Sequence, residues 1–206
     1  MTLRIVLAIA AFTGWCVIGA GWVWRAPGAV AAATAPAADA DPPLERGIEV
    51  GARITTGFDI DDALAASAGF VEGEGGPLVT VFIDLSCGFC RELYERSRVP
   101  VDRGDLRIRW VPVAVLGVES LGRAAAVLQA SDRPLALAAV QHRRLAAAEP
   151  TAAVREGIAA NNAMLTMLMS GRVATPLVVA RGADGRLHAR IGIPDDLAAF
   201  AAGAMR

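Results

Sequence analysis

The chain has 206 residues, enough for one ordinary domain with a complete hydrophobic core, and its short, biased N-terminal region argues against two full domains. A formal net charge of -1 excludes both the basic field that a nucleic-acid partner calls for and the acidic excess of a solvating tail. All 20 basic residues are arginine, a bias that names no partner.

From Ile5 to Trp24 no residue carries a charge, and Arg4 and Arg25 bracket the segment. At about 1.5 Å per residue, a helix of that length crosses a hydrocarbon core. Secretory signals usually have a shorter apolar core of about 7–15 residues, and Trp22 and Trp24 sit at one end as interfacial anchors do. Residues 1–25 are therefore expected to hold an uncleaved anchor in the inner membrane. The other reading is a signal cut near Ala29-Val30-Ala31, which has the A-x-A spacing of small residues. Both readings export the remainder. Cys16 lies inside this segment and reads as a small hydrophobe, since Trp15 before it does not suit lipoprotein acylation.

Residues 26–43, rich in Ala and Pro without hydrophobic periodicity, read as a tether. Residues 44–76 form a short linker segment: a possible strand over Ile48 to Ile54, a helix capped by Asp59 or Asp61 and running through Ala68, then a Gly-rich turn. From residue 77 onward the pattern is that of one α/β domain. LVTVFIDL, Leu78 to Leu85, is a β-branched and aromatic run that suits a strand buried on both faces. Ser86 is placed to cap a helix that begins around Cys87 and that Pro100 should stop. Asp105 to Val115 resumes β character with Pro112 near its far end, so strand, helix and strand form a parallel βαβ unit.

Three helical stretches follow, about Ser120 to Ala130, Pro134 to Ala148 and Thr151 to Ser170, with Ser120, Asp132 and Thr151 as caps. They make a helical insertion over about 118–171, and its stripe Met164, Leu165, Met167 and Leu168 reads as core packing. Pro176 to Ala180 and Arg186 to Ile191 are expected as strands around Ala183-Asp184-Gly185, and Pro194-Asp195-Asp196 opens a closing helix.

Cys87-Gly88-Phe89-Cys90 sets two sulfurs three residues apart in the first turn of a helix, on one face. Unpaired N–H groups and the positive end of the helix dipole favour a thiolate at Cys87, while Cys90, one turn deeper, should resolve mixed disulfides. This chemistry requires no metal and no organic cofactor. The second half of a zinc knuckle is missing, which disfavours a structural metal site. Gly88 and Phe89, the two-residue spacer, are expected to tune the redox poise. Asp84 is either a proton acceptor for a thiol or a fixture of the strand end, and His142 and His188 read as surface residues.

VFIDLSCGFCRELYERS, IRWVPVAVLGVESLGRAAAVLQASD, VATPLVVA and IGIPDD, in that order between about Ala63 and Phe200, resemble the periplasmic disulfide isomerases of the DsbC and DsbG family, the second block the DsbG-like branch in particular. The resemblance implies a thioredoxin-like fold and a periplasmic location. It also implies that Thr175-Pro176 is a Thr-cis-Pro loop beside the cysteines, where backbone groups bind an extended substrate. Exported proteins with disulfides or oxidised cysteines are the implied substrates, and a membrane electron donor of the DsbD kind the implied reductant. One departure stands out: residues 44–76 are too few for the family's dimerisation domain, and only its linker helix, around Asp59 to Ala68, has a counterpart. The reading is a reductase or isomerase; a DsbA-like oxidase and a noncatalytic chaperone or binding module for an envelope assembly are the alternatives.

Overall fold

The computed structural model describes residues 59–203 together with the backbone of Ile48–Glu49. The anchor or signal segment, the tether and Cys16 lie outside the described residues; among those described, no helix is long and apolar enough to cross a membrane. In chain order the elements are β1 (Ile48–Glu49), α1 (Ile60–Ala66), β2 (Phe70–Glu72), β3 (Leu78–Asp84), α2 (Gly88–Asp102), β4 (Arg107–Val113), α3 (Val118–Leu128), α4 (Arg133–Gln141), α5 (Ala152–Leu168), β5 (Leu177–Arg181), β6 (Leu187–Ile191) and α6 (Leu197–Ala201). The strands form a single sheet in the order β1-β6-β5-β3-β4-β2. Only β3 and β4 run parallel, with Val81 opposite Trp110; the other pairs are antiparallel.

Alternation along β3 explains why this run is apolar almost throughout. Val79, Val81 and Ile83 face a core built with Leu93, Tyr94 and Val101 of α2, Leu137 and Val140 of α4, and Leu197 and Phe200 of α6. Phe82 faces the opposite core, with Val111 and Val113 of β4, Leu64 of α1, and Leu165 and Leu168 of α5. A strand covered on both sides needs hydrophobes on both faces. Met164 packs against this second core, whereas Met167 is 44% exposed and takes no part in it.

Several local expectations give way to longer-range contacts. Ser86 does not cap α2: its N–H donates to Asp84 Oδ1, and its hydroxyl pairs with Ser120 Oγ at 3.1 Å. Cys87 itself holds the N-cap position, with extended backbone. Ser120 is likewise no cap, since α3 begins two residues earlier with Gly117 at its N-cap. Pro100 does not stop α2, which runs on to Asp102 because Arg103 still donates to the Val99 carbonyl. Pro112 fits inside β4 because β2 pairs only with Ile108 to Trp110 on that edge, so no strand there asks for its missing N–H. Its carbonyl accepts instead from Asn161 Nδ2. The helix expected over Pro134 to Ala148 ends at Gln141. Asp59, Asp132, Thr151 and Asp196 do cap their helices.

The Gly-rich stretch expected after α1 contains an unforeseen strand, β2. Its entry requires glycine, because a Cβ on Gly69 would lie 2.3 Å from the Trp110 carbonyl oxygen. Glu72 at its end accepts from Arg98 (2.6 and 2.9 Å) and from Trp110 Nε1 (2.7 Å), tying β2 to α2 and β4 at once. α1 is fastened to the same sheet: Arg109 donates to the carbonyls of Leu64, Ala65 and Ser67, the acceptors left open at that helix end.

Candidate active site

The C-terminal end of β3 delivers the cysteines. The Asp84 carbonyl accepts from the Cys87 N–H at 3.0 Å, which turns the chain sharply into α2. The Asp84 side chain is fully buried and accepts four hydrogen bonds: from the N–H groups of Ser86, Val115 and Leu116 and from the Ser120 hydroxyl, all between 2.8 and 3.0 Å. It ties the ends of β3 and β4 to α3, and so fixes the strand end. No thiol is among its side-chain partners.

Cys87 is half-buried and Cys90 buried, and neither is in a disulfide. The Cys87 pKa is lowered to about 5, chiefly because the Cys90 thiol donates toward its sulfur; burial opposes this, and the Thr175 hydroxyl assists. The backbone N–H groups of Cys90 and Phe89 add to the effect without closing a complete capping bond. The Cys87 sulfur thus occupies the place where Ser or Asp would normally accept from a helix start. Burial, and then the neighbouring Cys87, push the Cys90 thiol far up. The two sulfurs are set apart: one thiolate and one thiol near neutral pH.

Thr175 and Pro176 meet the pair from the loop before β5. Their peptide bond is cis. The Thr175 carbonyl lies 3.4 Å from Cys87 Sγ and accepts from it only in the protonated, thiol form. Thr175 Oγ1 is buried without a conventional hydrogen-bond partner, and its hydroxyl lowers the pKa of both cysteines. In the spacer, Phe89 is 66% exposed, and a Cβ on Gly88 would meet nothing within 4 Å, so its space does not demand glycine. His142 reaches toward Glu95 and the Tyr94 ring, and His188 toward Asp184. Neither is among the groups acting on the cysteines.

The sequence pattern did not bring out a small cavity of about 60 Å³ against Cys87, which Arg91, Arg123, Arg143 and Gln141 line with it. Only Arg91, four residues after Cys87 on the same helix, carried a spacing signal.

No family model matches the chain. Over 122 residues it is 31% identical to the thiol:disulfide interchange protein DsbG of Pseudomonas aeruginosa, a match covering 57% of this chain and 47% of that protein. The chain therefore spans about half the length of this curated relative. Its fold is similar to the crystal structure of the thiol-disulfide exchange protein alpha-DsbA2 from Wolbachia pipientis, with a TM-score of 0.53 at 14% identity, over 68% of this chain and 87% of that one.

The chain is similar in sequence to part of one thiol:disulfide interchange protein and in fold to a thiol-disulfide exchange protein.

Within this α/β fold, β3, α2 and the loop before β5 position the cysteine pair, and α3, α4 and α5 lie between β4 and β5. The cysteine pair follows the carboxyl end of β3, on the side of the parallel pair where open α/β sheets present their sites.

Proposed function

We propose that this chain is a thiol-disulfide oxidoreductase of exported proteins, acting as a reductase or isomerase with Cys87 as nucleophile and Cys90 as resolving thiol. The observation that carries thiol-disulfide exchange is the split pair, a Cys87 thiolate with its pKa near 5 against a buried, protonated Cys90, and the sequence similarity to DsbG favours the reductase or isomerase direction. The Cys87 thiolate attacks one sulfur of a substrate disulfide, that S–S bond breaks, and the departing thiolate takes a proton. Cys90 then gives up its proton and attacks the Cys87 sulfur, which releases the second substrate thiolate. The substrate disulfide is reduced by two electrons and Cys87-Cys90 is oxidised.

Exposed apolar side chains near the pair suit an unfolded polypeptide: Phe89 within the motif, Leu116 beside the Asp84 carboxylate, and Val173 two residues before Thr175. The Thr175-Pro176 loop would offer its backbone to such a segment. Work on exported substrates implies a periplasmic location, tethering through residues 5–24 and recharging by a membrane dithiol donor of the DsbD kind.

One observation favours a second reading. A stabilised Cys87 thiolate stabilises the reduced form, which makes the disulfide more oxidising, as in an oxidase of the DsbA kind. Two assays on the full chain decide between them: the reduced protein with insulin and with scrambled ribonuclease, and the oxidised protein with a reduced, unfolded substrate. Insulin reduction and recovery of native ribonuclease support the reductase or isomerase. Rapid disulfide donation without unscrambling supports the oxidase, and full activity of Cys87→Ser in either assay defeats both.

A further inference from the structure

We propose that the cavity beside Cys87 is a carboxylate-binding subsite that selects disulfides carrying an anionic group next to the sulfur under attack. This rests on the thiol-disulfide exchange proposed above. Arg91 comes from α2, Arg123 from α3, and Gln141 and Arg143 from the end of α4, and all of them line the cavity with Cys87. Gln141, which lines the cavity, is only 4% exposed, and its Nε2 is buried without a hydrogen-bond partner. Arginines from three parts of the fold converge on this one cavity beside the sulfur, a cationic lining that suits an anionic group.

The charges around it agree. Arg123 already pairs with Glu119. The side chains of Arg91 and Arg143 form no ion pair or hydrogen bond among the described residues. Arg143 is held with φ at +56°, a conformation uncommon for a residue other than glycine. The acidic residues nearest in sequence to Arg91, Arg123 and Arg143, namely Glu92, Glu119 and Glu149, are engaged with Arg96, Arg123 and Arg155. A cavity of about 60 Å³ holds a small polar group and not a whole cofactor, so the rest of the ligand must extend outside it, toward the sulfur. Because the chain's net charge is -1, a preference for anions cannot come from its overall field.

Two sources supply such a carboxylate: glutathione, or an acidic residue flanking a cysteine of a protein substrate. The test uses the reduced full chain at pH 8, where Cys87 is fully ionised, and three small disulfides of matched size: anionic 3,3′-dithiodipropionate, neutral bis(2-hydroxyethyl) disulfide and cationic cystamine. The subsite predicts that the anionic disulfide oxidises the Cys87-Cys90 pair about tenfold or more faster than the neutral one. In the double variant Arg91→Gln, Arg143→Asn this ratio should fall toward one, while alkylation of Cys87 by neutral iodoacetamide stays within about twofold because the charge-neutral probe does not use the subsite. Asn is chosen at position 143 because it tolerates a positive φ.

Glutathione disulfide matching dithiodipropionate would identify a glutathione-type ligand. Faster reaction with a cystine peptide flanked by Asp than with its Asn counterpart would identify an acidic protein segment. A wild-type ratio near one, or a ratio unchanged in the double variant, overturns the subsite and leaves the exchange chemistry standing. Failure of all three disulfides to oxidise the pair, with alkylation intact, overturns the exchange reading and the subsite with it.

Discussion

At the scale of single residues, the ionisation of Cys87 governs both reactivity and stability. Its alkylation by iodoacetamide should rise with a midpoint near pH 5 and stay flat above pH 7, because only the thiolate reacts. Cys90→Ala removes the donor with the largest influence on Cys87, so the midpoint should move up by at least one pH unit in the same assay; an unmoved midpoint would show that the helix start alone sustains the thiolate. The linkage has a definite sign. In the folded reduced protein the pKa is near 5 against an ordinary value of 9.0, so between these pH values the unfolded chain binds more protons at this site. This contribution to the stability of the reduced form is therefore complete above about pH 9 and is lost as pH falls toward 5. Thermal melts of the reduced protein and of Cys87→Ala across that range should converge at the acidic end.

At the scale of elements, one buried and one partly buried polar side chain hold pieces that their own propensities would not. Asn161 of α5 accepts from the Ala68 N–H and donates to the carbonyls of Ala68 and Pro112, which locks the turn after α1 onto β4. Asn161→Leu strands those groups and should cost roughly 2–4 kcal/mol in urea denaturation. Glu72→Ala leaves Arg98 and the Trp110 indole without their acceptor and should cost roughly 2–4 kcal/mol. A loss below about 0.5 kcal/mol for either would mean that β2 and α1 are held by apolar packing alone. These contacts also mark the limit of what sequence pattern revealed. LVTVFID and the cysteines at the start of α2 were legible because an apolar run and the Cys-X-X-Cys spacing are local properties. β2 was not, since three residues are too few to display alternation. Ser86 and Ser120 looked like caps, but Asp84 lies within reach of both, a partnership 34 to 36 residues apart for Ser120 that no local rule foresees.

At the scale of the whole molecule, the fold brings together groups distant in the chain: the cysteines after β3, the Thr175-Pro176 loop before β5, and arginines of α2, of α3 and of the turn after α4. Of these, the cysteine pair was legible from spacing and the Thr175-Pro176 loop from family resemblance. The arginine cavity was not, because its members share no periodicity. Together they describe a site in which one sulfur is kept ionised, its partner is kept protonated, and the entrance is partly apolar and partly cationic. The most direct test is the equilibrium between dithiol and disulfide forms of the full chain across glutathione redox buffers, with the Cys87-Cys90 bond identified by mass mapping. A single reversible two-electron couple is predicted, at a potential less negative than the value of about -270 mV typical of thioredoxin, because the thiolate stabilises the reduced form. Absence of an intramolecular Cys87-Cys90 disulfide at every buffer ratio, or a potential at or below that value, would contradict the account.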